Sequence, residues 1–289
     1  MTHLSTKPGP EEEARGRAHD QHQQQQQQQQ DEKEESEEES DIDDDSDPGT
    51  SWFSEHRAPE KVVEFLTNES FPLAPCNIPH PHPHHHRHHH EEEEEEGKGG
   101  GRLDILDLGT GNGSMLALLR NSGFAAHAKM VGVDYSSGSV ELARQLQRLR
   151  LHSAYHHHFG HEEDQEEDIR FEEWDILSPK NALDDYVHLD WFPYRKGGFD
   201  LVLDKGTFDA VSLSGQKGVC ERYPCIAGKL VRKGGFLIVT SCNWTEEELV
   251  RWFTTTTDEM LVWGRIAYPS FTFGGRQGQG VCTVCFQKS

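Results

Sequence analysis

The sequence predicts an α/β fold built on a mostly parallel β-sheet, and three observations support this prediction. Short apolar runs that suit buried strands alternate with segments of helical periodicity from about residue 103 onward. Four acidic residues recur at the ends of successive runs. A turn with three closely spaced glycines follows the first run, which is typical of a strand that passes directly into a helix. Alternation of this kind is typical of strands that helices cover on both faces.

The first strand and its turn lie between residues 103 and 113. Apolar side chains that suit a buried parallel strand stand at Leu103, Ile105, Leu106 and Leu108. Glycines follow at alternate positions, Gly109, Gly111 and Gly113. Glycine tolerates positive φ and lets a ligand approach the backbone closely. A dinucleotide loop has the spacing Gly-x-Gly-x-x-Gly, so that a pyrophosphate can lie on the helix N-terminus, whereas position 114 here is Ser114.

The acidic residue ahead of this glycine-rich loop indicates which kind of ligand the loop would bind. Asp107 stands ahead of the first glycine, where a carboxylate would repel a polyphosphate but attract the ammonium of an amino acid. S-adenosylmethionine carries an ammonium, a sulfonium and a ribose diol, so it fits this loop better than a dinucleotide does. The alternative is a tight strand-to-helix turn without a ligand, as any α/β protein can have.

The second unit of the pattern begins with the apolar run MVGVD, residues 130 to 134, and continues into a helical pattern that includes Val140 and Leu146. Asp134 then lies at the carboxyl end of the second strand, beside the glycine-rich loop. An acid there can accept two hydrogen bonds from a ribose diol. Ser136 is interpreted as the N-cap of the following helix.

Three further strands are predicted downstream. The run IRFEEWD, residues 169 to 175, ends in Trp174 and Asp175, and Asp175 is placed to bind an adenine amino group. The run FDLVLDKGTFDAV, residues 199 to 211, contains a strand that ends at Asp204, and GFLIVTSCNW, residues 235 to 244, contains the next. Open α/β sheets hold their ligands at the carboxyl edge, so the strand-end acids are expected to meet at the ligand site.

The order of these motifs resembles a class I, seven-strand S-adenosylmethionine-dependent methyltransferase. Five segments are similar, more specifically, to the protein-lysine methyltransferases of translation elongation factor 1-alpha: DLGTGNG, VGVDYS, DKGTFDAVSL (204–213), LIVTSCNWTEEEL (237–249) and PSFTFGGRQG (269–278). WFSEHRAPEKVVEFL, residues 52 to 66, resembles the element that precedes the first strand in this family. The resemblance covers most of the chain from about residue 103 onward.

The resemblance implies a Rossmann-like, doubly wound sheet of seven strands, mostly parallel with an antiparallel final strand. It also implies S-adenosylmethionine as cofactor, a protein substrate and a lysine ε-amine as methyl acceptor, with elongation factor 1-alpha as the partner. The candidate cofactor-binding residues are Asp107, Gly109, Gly111, Asn112, Gly113, Asp134, Tyr135, Trp174, Asp175 and Asp204. The candidate catalytic residues are Asp204, Asn243 and Trp244.

Asp204 has two interpretations. Its carboxylate could orient the incoming amine by a hydrogen bond, or it could stabilise its own loop through Lys205 or Thr207. Lys205 is expected to pair with Asp204 or Asp209 and to have a structural role. Methyl transfer from a sulfonium to an amine needs mainly collinear positioning and the exclusion of water, so an orienting acid would suffice.

Asn243 and Trp244 follow the fifth strand on the same edge. They could line the lysine channel, Trp244 through a cation–π contact with the target side chain. They could equally precede the next helix, because Thr245 and Glu248 have the spacing of a capping box.

The chain departs from the family upstream of Trp52. The family has an aromatic-rich helical stretch there that helps to close the cofactor pocket, whereas this chain has glutamines and acids. A catalytically impaired S-adenosylmethionine-binding module is therefore one alternative function. A methyltransferase for another protein or a small molecule is the second, since it would share every cofactor-binding residue.

Two aromatic pairs also have open roles. Trp52 and Phe53 could cap the cofactor or anchor the N-terminal helix by burying apolar area. Phe271 and Phe273, beside the glycines at 274 and 275, lie in the hairpin between the last two strands. They could wall the substrate entrance or pack on the sheet.

Low-complexity segments set the predicted domain organisation. Residues 1–50 contain a glutamine tract from Gln21 to Gln30 and an acidic run from Asp31 to Asp47, with scarcely an apolar side chain, and are predicted to be disordered. Residues 51–289 are predicted to form one methyltransferase domain. Insertions at about 80–100 and 152–168 are expected in loops, where they are tolerated.

The histidines and cysteines do not predict a metal site. The histidine-rich tract from His84 to His90 could capture zinc or nickel, but a specific site needs ligands that a fold holds in place. Cys282 and Cys285 form a Cys-x-x-Cys within an apolar run, and three positions apart in a strand they would point to opposite faces. The remaining cysteines show no pattern, so a reduced, intracellular protein is expected.

The net charge of −23 indicates which classes of partner the chain would bind. It disfavours nucleic acid, whose phosphates would be repelled, and favours a basic protein. The N-terminus lacks the apolar segment of a signal peptide, and no run of about 18 apolar residues would span a bilayer. We therefore expect a cytoplasmic monomer that binds neither nucleic acid nor membrane.

Overall fold

The computed structural model describes residues 53, 56–79, 102–149, 168–178, 189–256, 259–273 and 276–289. The α-helices within these residues are α1 (Ala58–Thr67), α2 (Ser114–Leu119), α3 (Ser137–Leu149), α4 (Thr207–Leu213), α5 (Val219–Leu230) and α6 (Glu246–Thr255). The strands are β1 (Leu103–Leu108), β2 (Ala128–Asp134), β3 (Arg170–Glu173), β4 (Phe199–Lys205), β5 (Val231–Ser241), β6 (Met260–Ile266), β7 (Ser270–Phe273), β8 (Arg276–Gln279) and β9 (Cys282–Lys288).

Seven of the described strands form one sheet in the order β3-β2-β1-β4-β5-β9-β6. The strands from β3 to β5 pair in parallel, and β9 runs antiparallel to both of its neighbours. The predicted seven-strand sheet with an antiparallel final strand is therefore confirmed. The strand order reverses between β1 and β4, and ligands of open α/β sheets bind outside the carboxyl ends of the strands at such a point.

Two apolar clusters cover the two faces of this sheet. One contains Leu66 of α1 with Ile105 and Phe236, and the other contains Leu106 with residues of α4, α5 and α6. Successive residues of β1 therefore point into different clusters, as strand geometry requires. Cys282 belongs to one cluster and Cys285 to the other, so the prediction that they point to opposite faces is confirmed.

The starts of two helices, α3 and α6, follow capping residues in the sequence. Thr245 Oγ1 accepts a hydrogen bond from the N–H of Glu248 at 3.3 Å, and the Glu248 carboxylate accepts one from the N–H of Thr245 at 2.9 Å. This completes the predicted capping box of α6. Ser136 Oγ accepts a hydrogen bond from the N–H of Ser139 at 3.3 Å, so Ser136 caps α3 as predicted.

The strand boundaries differ from the sequence pattern in two places. β3 ends at Glu173, two residues before the predicted end at Asp175. β5 begins at Val231 rather than near residue 235, and its pairing with β4 shifts register between Phe199 and Leu201. Gly234 has φ +75° in this stretch, a conformation that glycine adopts without strain, so the strand continues through the irregularity.

Several predictions concern residues outside the described ranges. These are the disordered tail at 1–50, the insertions at about 80–100 and 152–167, Trp52, and the glycines at 274 and 275. Among the described residues, no helix combines the length and the apolar character that crossing a bilayer would need.

Candidate active site

The turn after β1 has the backbone conformation that its glycines predict. Gly109, Gly111 and Gly113 have φ values of +62°, +58° and +83°, which residues with a side chain rarely adopt. A Cβ at Gly109 would collide with Thr207 Oγ1, whereas a Cβ at Gly111 would meet no atom within 4 Å. The turn is therefore packed against α4 at one end and open at Gly111, where a ligand can approach the backbone.

Asp134 links this turn to the end of β2. One carboxylate oxygen accepts a hydrogen bond from the N–H of Gly111 at 3.0 Å, and the other accepts one from the N–H of Ser136 at 2.9 Å. Each carboxylate oxygen can accept a second hydrogen bond. Asp134 thus holds the turn in place and keeps acceptor capacity for a diol.

Asp107 is a buried acid under the same turn. Burial raises the pKa of its carboxyl to about 6, although the nearby Thr110 side chain and the ammonium of Lys205 lower it, while Asp134 raises it further. A cationic group that arrived at this edge would favour the charged carboxylate. Asp107 is therefore a buried acid whose charged form a nearby cation would stabilise.

Asn112 and Tyr135 differ in exposure. The buried Asn112 accepts a hydrogen bond from the N–H of Ser114 at 3.1 Å through its side-chain oxygen, which shapes the start of α2. Tyr135 follows Asp134 and is 77% exposed. It offers an uncovered aromatic face at the edge of the site.

The two candidates after β3 lie in different surroundings. Trp174 is buried in the cluster that packs against α4 to α6, and its ring contacts Trp191 edge-on at 5.5 Å between centroids. Asp175 is exposed and accepts a hydrogen bond from the N–H of Leu177 at 2.9 Å. The surroundings of Trp174 are those of a core residue, whereas Asp175 stands at the surface beside β2.

Asp204 is 1% exposed, and both of its oxygens have partners. One accepts hydrogen bonds from the N–H groups of Thr207 and Phe208 at 2.8 and 3.2 Å, and the other accepts one from the Tyr223 hydroxyl at 2.8 Å. Burial raises the pKa of Asp204 to about 7, and nearby Asp209 raises it as well, whereas these hydrogen bonds lower it. These contacts match the interpretation of Asp204 as an acid that stabilises the start of α4.

Lys205 does not form the expected ion pair with Asp204 or Asp209. None of the ion pairs between described residues includes Lys205, and its ammonium lies over the ring of Phe53, 5.3 Å from the centroid. Successive side chains of a strand point to opposite faces, so Lys205 points away from Asp204. Asp209 instead accepts hydrogen bonds from Ser241 and Cys242.

Asp209 is a buried acid whose part in the site was missed by the sequence reasoning. It accepts hydrogen bonds from the Ser241 hydroxyl at 2.6 Å and from the N–H of Cys242 at 2.9 Å. Ser241 Oγ in turn accepts hydrogen bonds from the N–H groups of Asn243 and Trp244 at 3.1 and 2.9 Å. Asp209 therefore holds the loop after β5. The signal in the sequence was an acid in the first turn of α4 together with a hydroxyl residue at the end of β5.

Asn243 and Trp244 have different surroundings in this loop. Asn243 is exposed, its Nδ2 lies 3.4 Å from Ser212 Oγ, and its side-chain oxygen has no hydrogen bond within the described ranges. Trp244 stacks on Phe208 at 5.5 Å and contacts Trp252 edge-on at 5.9 Å. One face of Trp244 is therefore covered by Phe208, whereas the side chain of Asn243 is exposed.

Phe53 anchors the segment before α1. Its ring is buried with Ala58, Tyr268 and Val281, and it packs against Gly206 at the start of α4. The contacts thus favour the anchoring role over that of a cap. Phe271 and Phe273 lie on β7, which pairs with β8 in a separate two-stranded sheet.

A metal centre is not indicated in the part of the chain that the structure describes, because no group of three or more His, Cys, Asp or Glu residues there could hold an ion. The six cysteines are free thiols.

The chain is similar in sequence to a known protein family and to several known proteins. A family model described as a methyltransferase domain matches residues 101–275. The chain is 34% identical over 247 residues to Protein-lysine N-methyltransferase EFM4 of Saccharomyces cerevisiae, a match that covers 84% of each chain. It is 31% identical over 186 residues to EEF1A lysine methyltransferase 2 of Homo sapiens, covering 64% of this chain and 65% of the human protein. It is 32% identical over 190 residues to Protein-lysine N-methyltransferase efm4 of Schizosaccharomyces pombe, covering 63% and 68%.

Proposed function

The chain belongs to the family of class I S-adenosylmethionine-dependent methyltransferases, and we propose that it transfers a methyl group from S-adenosylmethionine to a lysine of translation elongation factor 1-alpha. The observation that carries this proposal is the match to the yeast protein-lysine methyltransferase over 84% of both chains. The human relative carries the same elongation factor in its name.

The residues at the carboxyl edge fit this cofactor. Gly111 has open space where a Cβ would stand, so an adenosine can lie on the turn. Asp134 retains acceptor capacity for the ribose diol, and Asp107 supplies negative charge near a cationic amino-acid end. We assign the exposed Tyr135 to contact with the adenine ring, and Asp175 to its amino group. S-adenosylmethionine, when bound, supplies a methyl group on a positively charged sulfur.

The chain contributes chiefly position to the reaction. The lysine nitrogen must approach the methyl group in line with the sulfur, and correct alignment supplies most of the acceleration in such a displacement. Asn243 is our principal candidate for the amine ligand, because its side-chain oxygen can accept a hydrogen bond from the amine. The Ser241 hydroxyl donates a hydrogen bond to Asp209 and its oxygen accepts one from the N–H of Asn243, and these two bonds hold Asn243 at the edge.

The other catalytic candidates act less directly in this proposal. Asp204 holds the start of α4 in place, since its carboxylate accepts hydrogen bonds from two N–H groups there. Trp244 supports the wall of the site by stacking on Phe208. The attacking amine must be neutral, and transfer out of water lowers the pKa of a lysine, so a partly dehydrated entrance favours the reactive form.

We further propose that the chain works in the cytoplasm as a monomer, with residues 51–289 as a single catalytic domain. The net charge of −23 would attract a basic protein partner and repel phosphate backbones and anionic lipid. The acidic edge of the sheet adds a local attraction for a lysine-rich segment of the substrate.

The test is a methyl-transfer assay with the purified chain, labelled S-adenosylmethionine and unmethylated elongation factor 1-alpha produced in bacteria. We expect label on the elongation factor, located to a lysine by mass spectrometry. The same factor with its lysines chemically dimethylated beforehand is the matched control and should accept far less. Labelling of a different protein in an unmethylated lysate would favour another protein substrate. Cofactor binding without transfer to any lysate protein would favour the impaired module.

A further inference from the structure

Lys205 is a cation at the carboxyl edge of the sheet. It is the last residue of β4, and its side chain is partly buried. Its Nζ lies 5.3 Å from the centre of the Phe53 ring. Phe53 is itself 3% exposed and lies so close to Gly206 that a Cβ there would come within 2.8 Å of the ring. A packed aromatic ring therefore determines where the ammonium stands.

The ammonium of Lys205 lacks an acceptor of its own. Within the described ranges, no carboxylate lies within 4.0 Å of it and no oxygen accepts a hydrogen bond from it. An ammonium has three donors, and charge-assisted hydrogen bonds to an anion are among the stronger ones in proteins. A contact with an aromatic face uses none of these donors. Lys205 is therefore able to bind an anionic group of a ligand.

Lys205 and Asp107 lie near each other across the glycine-rich turn. Asp107 pairs with Leu203 in the register of β1 and β4, so Lys205 follows two residues beyond that pair. The Lys205 ammonium lowers the pKa of the Asp107 carboxyl, which is the effect of a nearby positive charge. An acid and a base therefore lie on neighbouring strands and on the same face of the sheet, and no ion pair joins them in the described part of the chain.

We propose that Lys205 binds the α-carboxylate of S-adenosylmethionine, while Asp107 attracts the α-ammonium. The amino-acid end of that molecule carries both charges on one carbon, so a neighbouring acid and base are complementary to it. This inference rests on the proposed cofactor site and deepens it. It assigns to Lys205 the recognition of a zwitterionic amino-acid end, which a simple nucleoside lacks.

Calorimetric titration with two ligands tests the assignment without any turnover. S-adenosylhomocysteine has the amino-acid end, and 5′-methylthioadenosine keeps the adenosine and the thioether but lacks that end. Lys205→Met should weaken S-adenosylhomocysteine about 10-fold or more, the value for a lost charge-assisted hydrogen bond, and leave 5′-methylthioadenosine within about twofold. Lys217→Met, at an exposed lysine in the loop before α5, is the matched control and should change neither affinity.

Two further measurements keep the test decisive. Asp134→Ala should weaken both ligands, since both carry the ribose. Lys205→Arg, which keeps the charge, should retain most of the affinity for S-adenosylhomocysteine. Loss of the contact with Phe53 could lower the melting temperature of Lys205→Met too far for titration. In that case the wild type is titrated with S-adenosylmethionine and with its decarboxylated form. We expect the decarboxylated form to bind about 10-fold more weakly.

The assignment would be overturned if folded Lys205→Met lost the same affinity for both ligands, or lost none for either. It would also be overturned if the wild type bound decarboxylated S-adenosylmethionine as tightly as S-adenosylmethionine itself. Those results would leave the proposed function standing, because the wild type would still bind the cofactor. A wild-type chain that bound neither S-adenosylhomocysteine nor 5′-methylthioadenosine would overturn the cofactor site itself, and the role of Lys205 with it.

Discussion

Asp200 and Asp204 lie four residues apart on β4, and both are buried, yet they have opposite electrostatic surroundings. Asp200 accepts hydrogen bonds from Arg232 Nε at 2.5 Å, Lys196 Nζ at 3.2 Å and the N–H of Asp104 at 2.7 Å. Burial raises its pKa, but these partners outweigh burial and the pKa is lowered. Asp204 has only uncharged donors, and its pKa is raised to about 7.

The difference extends to the two edges of the sheet. At the amino edge, the chain neutralises its own acids with Lys196 and Arg232. At the carboxyl edge, the buried acids accept hydrogen bonds from amides and hydroxyls, and no ion pair between described residues includes Asp107, Asp134, Asp204 or Asp209. Uncompensated negative charge costs stability, and its concentration at one edge agrees with the cationic cofactor that we propose for that edge.

The largest effect is expected at the loop after β5. Asn243→Ala should lower the rate of methyl transfer about 100-fold, or about 2.7 kcal/mol, because the amine loses the group that aligns it. Affinity for S-adenosylhomocysteine should stay within a few-fold. Single-turnover kinetics and calorimetry measure the two quantities separately.

Asp204→Asn is the companion variant on the same edge. It keeps the shape of the side chain, so α4 and the Tyr223 contact should persist. A rate loss below about 10-fold is expected if Asp204 only stabilises α4. A loss of about 100-fold with unchanged cofactor affinity, together with an active Asn243→Ala, would return the amine-orienting role to Asp204.

Cofactor binding should depend on the carboxyl edge and not on the amino edge. Asp134→Ala should weaken S-adenosylmethionine by about 1.5–3 kcal/mol, the range for hydrogen bonds to a charged group. Asp200→Asn should destabilise the fold in urea titrations, because Arg232 loses its carboxylate partner and Lys196 keeps only Asp104, but the folded variant should bind the cofactor normally. Unchanged affinity in folded Asp134→Ala would remove this acid from the ribose site.

The two acids of β4 should also respond oppositely to pH. The pKa of Asp204 rises from its ordinary 3.8 to about 7 on folding, so the folded state holds this proton longer and stability falls as pH rises from about 4 to 7. Asp204→Asn should remove that decline, so its stability relative to wild type should increase over this interval. Asp200, with a lowered pKa, stabilises the fold above pH 4 and loses its contribution as pH falls further. Urea denaturation at a series of pH values measures both trends, and parallel curves for wild type and Asp204→Asn would refute the first.

The smallest effect is expected from the N-terminal tail. Deletion of residues 1–45 should leave the thermal midpoint and the methyl-transfer rate nearly unchanged, because a glutamine- and acid-rich segment contributes few native contacts. Calorimetry and the elongation-factor assay provide the measurements. Loss of turnover at physiological salt would show instead that the tail closes the site or docks the substrate.

Local sequence signals predicted much of the fold. The glycine turn has positive φ at all three positions, and the capping box of α6 forms as its spacing indicates. These features depend on backbone sterics and on residues close in sequence, which is why the pattern is sufficient. The boundaries of β3 and β5 were missed by two to four residues, because pairing with neighbouring strands decides where a strand ends.

The sequence by itself determined the order of strands and helices, the positions of the strand-end acids and the kind of cofactor they suit, since periodicity, glycine conformation and charge are written residue by residue. Only the tertiary structure decided what each polar group does. Asp204 faces Tyr223, Lys205 lies over Phe53 rather than beside an acid, and Asp209 reaches the loop after β5. These partners stand 19, 152 and 32 or 33 positions away along the chain, and only the packing of the sheet and its helices brings them together.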